Sequence, residues 1–285
     1  TGDIVKEMEK ENFDIAVTKG DIQYVIPASQ ITIEKLADRL NVDADKLEKI
    51  EVEIKMNAVS DSVLKEYKEV AQKMQHELIV PPVEFEVVAT ATGTDGAKHE
   101  VNVDKFSNYV ERIIEIPANL DPSKITTGIV FNADGTYSHV PTTVFKENGK
   151  YYARINSLTN SVYSVIYNHV TVDSVKGHWA EETNNDMASR LVLVDYANFD
   201  ADSAITRAEF ADYIVRALGL YRDEDVESTF SDISESNSYK ISIQKANEWG
   251  IISGYPDGSF KADKTITREE AMAMYARAMN VLSLE

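Results

Sequence analysis

Ile205-Thr206-Arg207-Ala208-Glu209 recurs as Ile266-Thr267-Arg268-Glu269-Glu270, an interval of 61 residues between positions 205 and 266. The residues just before each copy also match, since Phe199-Asp200-Ala201-Asp202 precedes the first and Phe260-Lys261-Ala262-Asp263 precedes the second. Upstream of a one-residue gap the interval is 60, which pairs Trp179 with Tyr239. Self-similarity at a fixed interval is typical of repeat architectures. We therefore expect two copies of one structural unit in the second part of the chain.

Each copy contains the Thr-x-x-Glu spacing of a helix capping box, formed by Thr206 with Glu209 and by Thr267 with Glu270. In such a box the threonine hydroxyl accepts a hydrogen bond from an amide, and the glutamate carboxylate accepts one from the threonine amide. Apolar residues at helical spacing follow both boxes, so each box is predicted to begin an amphipathic helix. We interpret the apolar stripe of each helix as the surface that packs into the hydrophobic core.

A glycine-containing turn, Gly254 to Phe260, precedes the second box and displays Tyr255 and Asp257 beside Gly258. Arg268 lies in the first helical turn, where the helix dipole favours an acid, so an anion that meets this cation is a reasonable explanation. A carboxylate is the natural candidate. The alternative is that Arg207 and Arg268 pair with Asp202, Asp263 or a neighbouring glutamate.

These elements, with Gly177-His178-Trp179-Ala180 and the glycine-bounded run from Gly250 to Gly254, resemble surface-layer homology (SLH) repeats. The resemblance covers roughly residues 171 to 283. It implies non-covalent anchoring of an exported protein to the bacterial cell wall, through a secondary wall polysaccharide that carries pyruvate ketal groups. The ligand-binding residues expected from it are Arg268, Arg207, Trp249, Tyr255, Asp257, Gly258, Trp179 and Thr267.

The sequence departs from that family in three ways. SLH repeats usually occur in threes, whereas two are present here. The first repeat reads Val194 to Phe199 without the glycines of the second, so Arg268 is the favoured binding residue over Arg207. Tyr239 replaces Trp179 in our alignment. An alternative function follows, in which the chain is a structural S-layer element that completes its bundle by self-association without a glycan.

Before about residue 168 the pattern changes to short strands and tight turns. Asp95-Gly96, Asp134-Gly135 and Asn148-Gly149 are typical hairpin turns, and helices are expected after Thr32 and Ser60. The predicted fold class is α+β and multidomain: a sandwich or helix-backed antiparallel sheet, then an all-α helical repeat bundle. Its domains are 1–168, with a subdomain break near 80, then 169–222 and 223–285. Residues 139–161 resemble the β-rich spacer preceding SLH repeats in some exported Gram-positive proteins.

The composition limits the classes of molecule that this chain can bind. The 285-residue chain has 48 acidic and 29 basic residues, a formal charge of −19, and no cysteine. Such a charge argues against nucleic acid and anionic membranes as partners. The sequence contains no run of eighteen apolar residues, and neither a spanning segment nor a signal peptide is recognisable. We therefore expect an extracellular location in the cell wall or S-layer of a Gram-positive-type bacterium.

Catalytic patterns are absent from the sequence. The five histidines show no metal-ligand spacing, and no nucleophile elbow or phosphate loop is found. Asp223, Asp225 and Asp232 are weak candidates for a calcium site, although their spacing differs from that of an EF-hand. No enzyme activity, metal or cofactor is predicted. An enzyme or carbohydrate-binding module in the β-rich part is a third hypothesis.

Overall fold

The computed structural model describes residues 1–43 and 46–281. Its helices are α1 (Gly2–Lys10), α2 (Ile33–Arg39), α3 (Asp61–Lys73), α4 (Glu181–Ser189), α5 (Arg207–Ala217), α6 (Lys240–Glu248) and α7 (Arg268–Val281). Its strands are β1 (Asp14–Lys19), β2 (Ile22–Pro27), β3 (Glu51–Ala58), β4 (Glu77–Leu78), β5 (Val83–Thr92), β6 (Lys98–Asn102), β7 (Lys105–Glu115), β8 (Thr127–Phe131), β9 (Tyr137–Val140), β10 (Thr142–Glu147), β11 (Lys150–Thr159) and β12 (Val162–Tyr167). A β-rich part therefore precedes a helical part, and the predicted fold class is confirmed.

The first compact unit comprises Thr1–Leu64, Val80–Pro122 and Thr142–Ser164. It contains an antiparallel sheet with strand order β1-β2-β7-β11-β10, and β5 pairs with β3 and β6 on a second sheet. The predicted turn glycines Gly96 and Gly149 both have positive φ, which is why glycine is favoured there.

A buried cation lies where side chains of these two sheets meet. Arg112 on β7 is fully buried, and its guanidinium carbon lies 5.0, 5.3 and 4.3 Å from the ring centroids of Tyr24, Phe85 and Tyr163. Its terminal nitrogens donate to the carbonyls of Val110 and, across 2.6 Å, Thr159. Aromatic faces and carbonyl dipoles stabilise the charge, since no carboxylate in the described ranges contacts Arg112.

The second compact unit comprises Lys65–Ile79, Ser123–Pro141 and Val165–Glu285. Its β8–β9 hairpin turns at Gly135, as the sequence predicts, and Tyr67 of α3 stacks on Phe131 of β8 with centroids 3.7 Å apart. Helices α4 to α7 complete this unit. Across the described residues, no helix has the length and apolar character needed to cross a membrane.

The two repeats correspond as helix pairs α4–α5 and α6–α7, but their register differs from the sequence alignment. Ala180 precedes α4 as N-cap and Tyr239 precedes α6, an interval of 59. The residues after the helices agree, because Leu191 and Gly250 both adopt positive φ. The pairing of Trp179 with Tyr239 is therefore wrong by one position. Shared aromatic character misled the alignment, whereas backbone hydrogen bonding fixes the register.

The first repeat packs on the β8–β9 hairpin. Helix α5 contacts β9, and the backbone of Gly219 just after α5 approaches Val140 and Pro141 closely. Gly219 has φ +66°, and a Cβ added there would lie 2.7 Å from Pro141 Cδ. Only glycine therefore fits this position without displacing the strand.

We expect Gly219→Ala to lower the free energy of unfolding of the second unit by about 3 kcal/mol. The left-handed backbone costs about 1 kcal/mol for alanine, and the crowding against Pro141 adds about 2 kcal/mol. The control is Gly177→Ala, where φ is +80° but no atom lies within 4 Å of the added Cβ. Urea denaturation measures both variants. Equal losses in the two would show that Gly219 is not crowded.

The grouping by spatial contact does not follow the division drawn at residue 168, because residues 123–141 group with the helical repeats. That division was based on secondary structure, and the domain boundaries at 168 and 222 stay predictions. The last four residues of the predicted second repeat, 282–285, lie outside the described residues.

Candidate functional site

Both helix starts contain a complete capping box. The amide of Glu209 donates to Thr206 Oγ1 across 3.2 Å, and the Thr206 amide donates to Glu209 Oε2 across 2.7 Å. The amide of Glu270 donates to Thr267 Oγ1 across 3.2 Å, and the Thr267 amide donates to Glu270 Oε2 across 3.0 Å. Thr267 therefore serves as a cap, with its hydroxyl already engaged.

The segments preceding α5 and α7 form a short antiparallel bridge. The amide of Arg207 donates to the Lys264 carbonyl across 2.9 Å, and that of Ala208 donates to the Ala262 carbonyl across 3.1 Å. These two amides open α5 and would otherwise lack a partner. The second repeat therefore completes the helix start of the first.

Arg207 is buried at this bridge, with 4% of its surface exposed. Its Nε donates to the Phe260 carbonyl across 3.0 Å, and its Nη1 lies 3.1 Å from Glu270 Oε1. The guanidinium carbon is 4.9 Å from the Tyr255 ring centroid and 4.7 Å from that of Phe260. The first arginine therefore pairs with a glutamate of the other repeat, as the alternative interpretation of the sequence allowed.

Glu270 connects the capping box to the Tyr255 loop. Its Oε1 accepts hydrogen bonds from Tyr255 Oη across 2.7 Å and from Lys264 Nζ across 3.2 Å. The bond from the Thr267 amide, together with Tyr255, Lys264 and the Arg207 charge, lowers the pKa of Glu270 to about 2. The carboxylate is thus ionised throughout the physiological range and holds this cluster together.

The ring of Tyr255 is surrounded by cations. Lys261 Nζ lies 4.2 Å and Lys264 Nζ 5.4 Å from its centroid, in addition to the Arg207 guanidinium. Sequence analysis selected Tyr255 but missed both lysines. The signal was present, because the first repeat has Asp200 and Ser203 at the two equivalent positions. An acid at one position and a serine at the other are both replaced by lysine, which marks the second repeat as the one suited to an anion.

The loop that carries Tyr255 is fixed by its own side chains. The Ser259 amide and hydroxyl donate to Asp257 Oδ1 across 3.0 and 2.6 Å, and these bonds lower the pKa of Asp257. Gly258 has φ +79°, and its amide donates to the Tyr255 carbonyl across 3.0 Å. Asp257 remains exposed, and its Oδ2 lies 3.7 Å from Lys261 Nζ. The predicted residues Tyr255, Asp257 and Gly258 therefore form one rigid turn.

Arg268 differs from its counterpart Arg207 in burial and in pairing. It is exposed, and no described side chain forms a hydrogen bond or ion pair with it. Its position directly after Thr267 places it next to the cluster held by Glu270. The second arginine is thus available to a ligand, whereas the first is occupied.

The two tryptophans are not in ring contact with Tyr255 within the described part of the chain. Trp179 is 91% exposed and has its ring centroid 5.3 Å from that of His178. Trp249 is half-buried at the C-terminal end of α6. Both stay predictions as ligand-binding residues.

The calcium candidates are not brought together. Asp232 accepts from the amides of Phe260 and Lys261, each across 2.8 Å, and so holds the end of the loop. Asp225 lies 3.6 Å from Lys240 Nζ. Among the described residues, no group of three or more acidic or histidine side chains has the arrangement of a metal site.

The sequence model of the S-layer homology domain family matches residues 229–272, which include α6, the Tyr255 loop and the start of α7. The chain carries an S-layer homology domain. The match contains Lys261, Lys264, Arg268 and Glu270, whereas Arg207 lies outside it.

Several curated proteins are similar to part of the chain. The surface layer protein of Brevibacillus choshinensis is 35% identical over 104 residues, 35% of this chain and 9% of that protein. The cellulosome-anchoring protein of Acetivibrio thermocellus is 36% identical over 75 residues, 25% of this chain and 17% of that protein. The amylopullulanase of Thermoanaerobacterium thermosulfurigenes is 28% identical over 177 residues, 61% of this chain and 9% of the enzyme. No solved structure matches the chain.

The chain therefore spans 9–17% of the length of these relatives. Surface-layer and anchoring proteins are among them, and the resemblance and the cell-surface location inferred from the sequence are both confirmed. The relatives with enzyme names share only a small fraction of their length with this chain.

Proposed function

We propose that the second repeat binds an acidic polysaccharide of the bacterial cell wall and anchors an exported protein there without catalysis. The observation that carries this proposal is the group of cations around Tyr255, beside the unpaired Arg268, in a chain of net charge −19. The matched S-layer homology segment contains Tyr255, Lys261, Lys264 and Arg268, whereas Arg207 lies outside it. Residues 1–168 would act as a spacer.

The electrostatics favour a local pocket over long-range attraction. A strongly negative chain repels an anionic polymer at a distance, so binding depends on cations at close range. The Arg268 guanidinium presents a planar fork that matches a carboxylate. A pyruvate ketal carries such a carboxylate, and we propose it as the group that Arg268 binds.

The sugar ring requires a second kind of contact. Tyr255 offers an aromatic edge on a turn fixed by Asp257 and Gly258, and the exposed Asp257 oxygen can accept hydrogen bonds from hydroxyl groups. Lys261 and Lys264 are partly neutralised by Asp257 and Glu270. Arg268 therefore supplies the least compensated positive charge of this group.

We expect Arg268→Ala to weaken binding to purified cell walls at least about tenfold, because a hydrogen-bonded charge pair contributes about 1.5–3 kcal/mol. Co-sedimentation of the whole chain with walls measures this affinity. Arg268→Lys retains the charge without the fork and is expected to recover part of the loss. Arg39→Ala, which removes an exposed arginine from α2, is the control for net charge.

Chemically treated cell walls test which group of the polysaccharide is bound. Binding is expected to fall after mild-acid removal of pyruvate ketals and to disappear after removal of the whole secondary polysaccharide. Binding that is retained on stripped walls would contradict the proposal. Equal effects of Arg39→Ala and Arg268→Ala would show that net charge, and not this site, controls binding.

A further inference from the structure

The five-stranded sheet of the first unit carries a groove on its outward face. Buried and half-buried residues alternate along its strands, as Arg112 and Ile114 alternate with Ile113 on β7. One face of an antiparallel sheet packs on the core, and the other can meet water. The groove, of about 220 Å³, lies between the β1–β2 turn and the β10–β11 hairpin. All of its lining residues belong to the first unit.

Strand pairing brings side chains from all five strands to this groove. Thr18 of β1 is paired with Gln23 of β2, which in turn is paired with β7. Glu115 of β7 is paired with Tyr152 of β11, and Tyr152 with Phe145 of β10. Directly paired residues share one face of a sheet. Residues that are distant in sequence therefore form one continuous surface.

An aromatic pair forms one wall of the groove. The rings of Phe145 and Tyr152 are stacked, with centroids 5.3 Å apart and an interplanar angle of 21°. The guanidinium carbon of Arg154 lies 4.9 Å from the Phe145 centroid, and its Nε lies 3.5 Å from Glu111 Oε2. A cross-strand aromatic pair stabilises a sheet. On the outward face it also offers apolar ring surface to a ligand.

Polar side chains line the rest of the groove, and several of them have no partner. Within residues 1–43 and 46–281, the side chains of Thr18, Gln23 and Glu147 form no hydrogen bond or ion pair. Glu115 differs, because Lys150 Nζ lies 2.8 Å from its Oε1. Ligand sites typically combine apolar walls with a few polar groups that fix orientation. The groove has both components.

We propose that this groove binds a sugar unit of an uncharged polysaccharide. One face of a sugar ring consists of C–H groups, which pack on aromatic rings such as Tyr152. The hydroxyl groups at its rim donate to carboxylate and amide oxygens, which Glu147 and Gln23 supply. The groove is smaller than the about 300–1,000 Å³ of sites for drug-sized ligands. A single sugar unit of a longer chain suits this volume.

The charge of the groove separates this ligand from the acidic polymer proposed for the second repeat. Asp21, Glu115 and Glu147 all line the groove. In the part of the chain that the structure describes, only Glu115 among them forms an ion pair, with Lys150. The remaining negative charge repels an acidic polymer. The inference does not depend on the proposed wall binding, because it concerns a different unit and a ligand without charge.

Isothermal titration of the whole chain with maltohexaose, cellohexaose and xylohexaose tests the proposal. We expect at least one of these uncharged probes to bind with a dissociation constant of about 1 mM or below. Tyr152→Ala is expected to raise this constant at least about tenfold. Glu147→Gln is expected to raise it about threefold. Since Glu147 is exposed and unpartnered, its replacement tests the groove without disturbing the fold.

Tyr151→Ala is the matched control. Tyr151 is the neighbour of Tyr152 on β11 and lies on the opposite face of the sheet, where Lys146 Nζ is 5.1 Å from its ring centroid. We expect this variant to bind like the wild type. Arg268→Ala is also expected to bind the uncharged probes normally, so a failure of the proposed wall binding would leave this result unaffected.

Three results would overturn the proposal. The first is a wild-type chain that binds none of the three probes at about 5 mM. The second is an equal loss of binding in Tyr151→Ala and Tyr152→Ala. The third is a glucosamine hexamer that binds at least about tenfold more tightly than every uncharged probe, because the carboxylates would then select a cation.

Discussion

Arg207→Ala is expected to lower the free energy of unfolding of the second unit by about 3 kcal/mol, the typical cost of removing one partner from a buried ion pair. The substitution leaves Glu270 without the buried cation and the Phe260 carbonyl without a donor. It also opens a cavity between the rings of Tyr255 and Phe260. All three losses act on the contact between the two repeats.

Chemical denaturation followed by tryptophan fluorescence measures this effect, because Trp249 is half-buried in the same unit. The matched variant is Arg268→Ala, which removes the equivalent arginine from an exposed and unpaired position. We expect its stability to change by less than about 0.5 kcal/mol. A similar loss in both variants would show that burial does not distinguish the two arginines.

His139 is expected to make the second unit less stable in mild acid. The side chain is buried on β9, with its Nδ1 2.7 Å from Thr127 Oγ1. Burial, together with the nearby Arg190 charge, lowers the pKa of His139 from 6.5 to about 4, against the opposing effect of a bond to the Ala217 carbonyl. The folded protein therefore holds this imidazole neutral.

The lowered pKa of His139 determines the direction in which pH changes the stability of the second unit. Above pH 6.5 the imidazole is neutral in both states, and its contribution to stability is fully present. As the pH falls from 6.5 toward 4, the unfolded chain takes up a proton that the folded protein excludes, and stability is lost. Between pH 7 and pH 5 we expect a loss of about 2 kcal/mol. The pKa of Glu270, about 2, confines its own contribution to more acidic solution.

Urea denaturation at pH 7, 6 and 5 measures this slope. His139→Gln removes the titrating group and is expected to make the slope shallower, with a contribution of the same sign left from His76, whose pKa burial also lowers. His99→Gln changes a histidine of the first unit and is the control. If His139→Gln leaves the dependence of the free energy of unfolding on pH unchanged, His139 is not the cause of the lower stability in mild acid.

The local structure of the repeats followed from the sequence because its determinants are close in sequence. A threonine and a glutamate three residues apart are sufficient to cap a helix, so Thr206, Glu209, Thr267 and Glu270 could be assigned without a fold. The tight turns at Gly96 and Gly149 were predictable for the same reason. The register of the two repeats before their capping boxes was not predictable. The pairing of Trp179 with Tyr239 rested on shared aromatic character, which carries no geometric constraint.

The different roles of Arg207 and Arg268 were decided by tertiary structure. Both occupy the same place in the same motif, and the preceding loops favour Arg268 as the binding residue without showing what Arg207 contacts. The bridge between repeats buries Arg207 against Glu270 and leaves Arg268 in solvent. Lys261 and Lys264 became part of the candidate site in the same way, since only the fold brings them to the Tyr255 ring.

The sequence by itself determined the repeat, its helix starts, the class of fold and the S-layer homology resemblance, because these depend on spacing and periodicity along the chain. Tertiary structure decided which arginine is buried and which side chains share the groove of the first sheet. It also decided that His139 is held neutral beneath α5. Burial and pairing depend on groups distant in sequence, and their desolvation and Coulomb energies are set only when the chain brings those groups together.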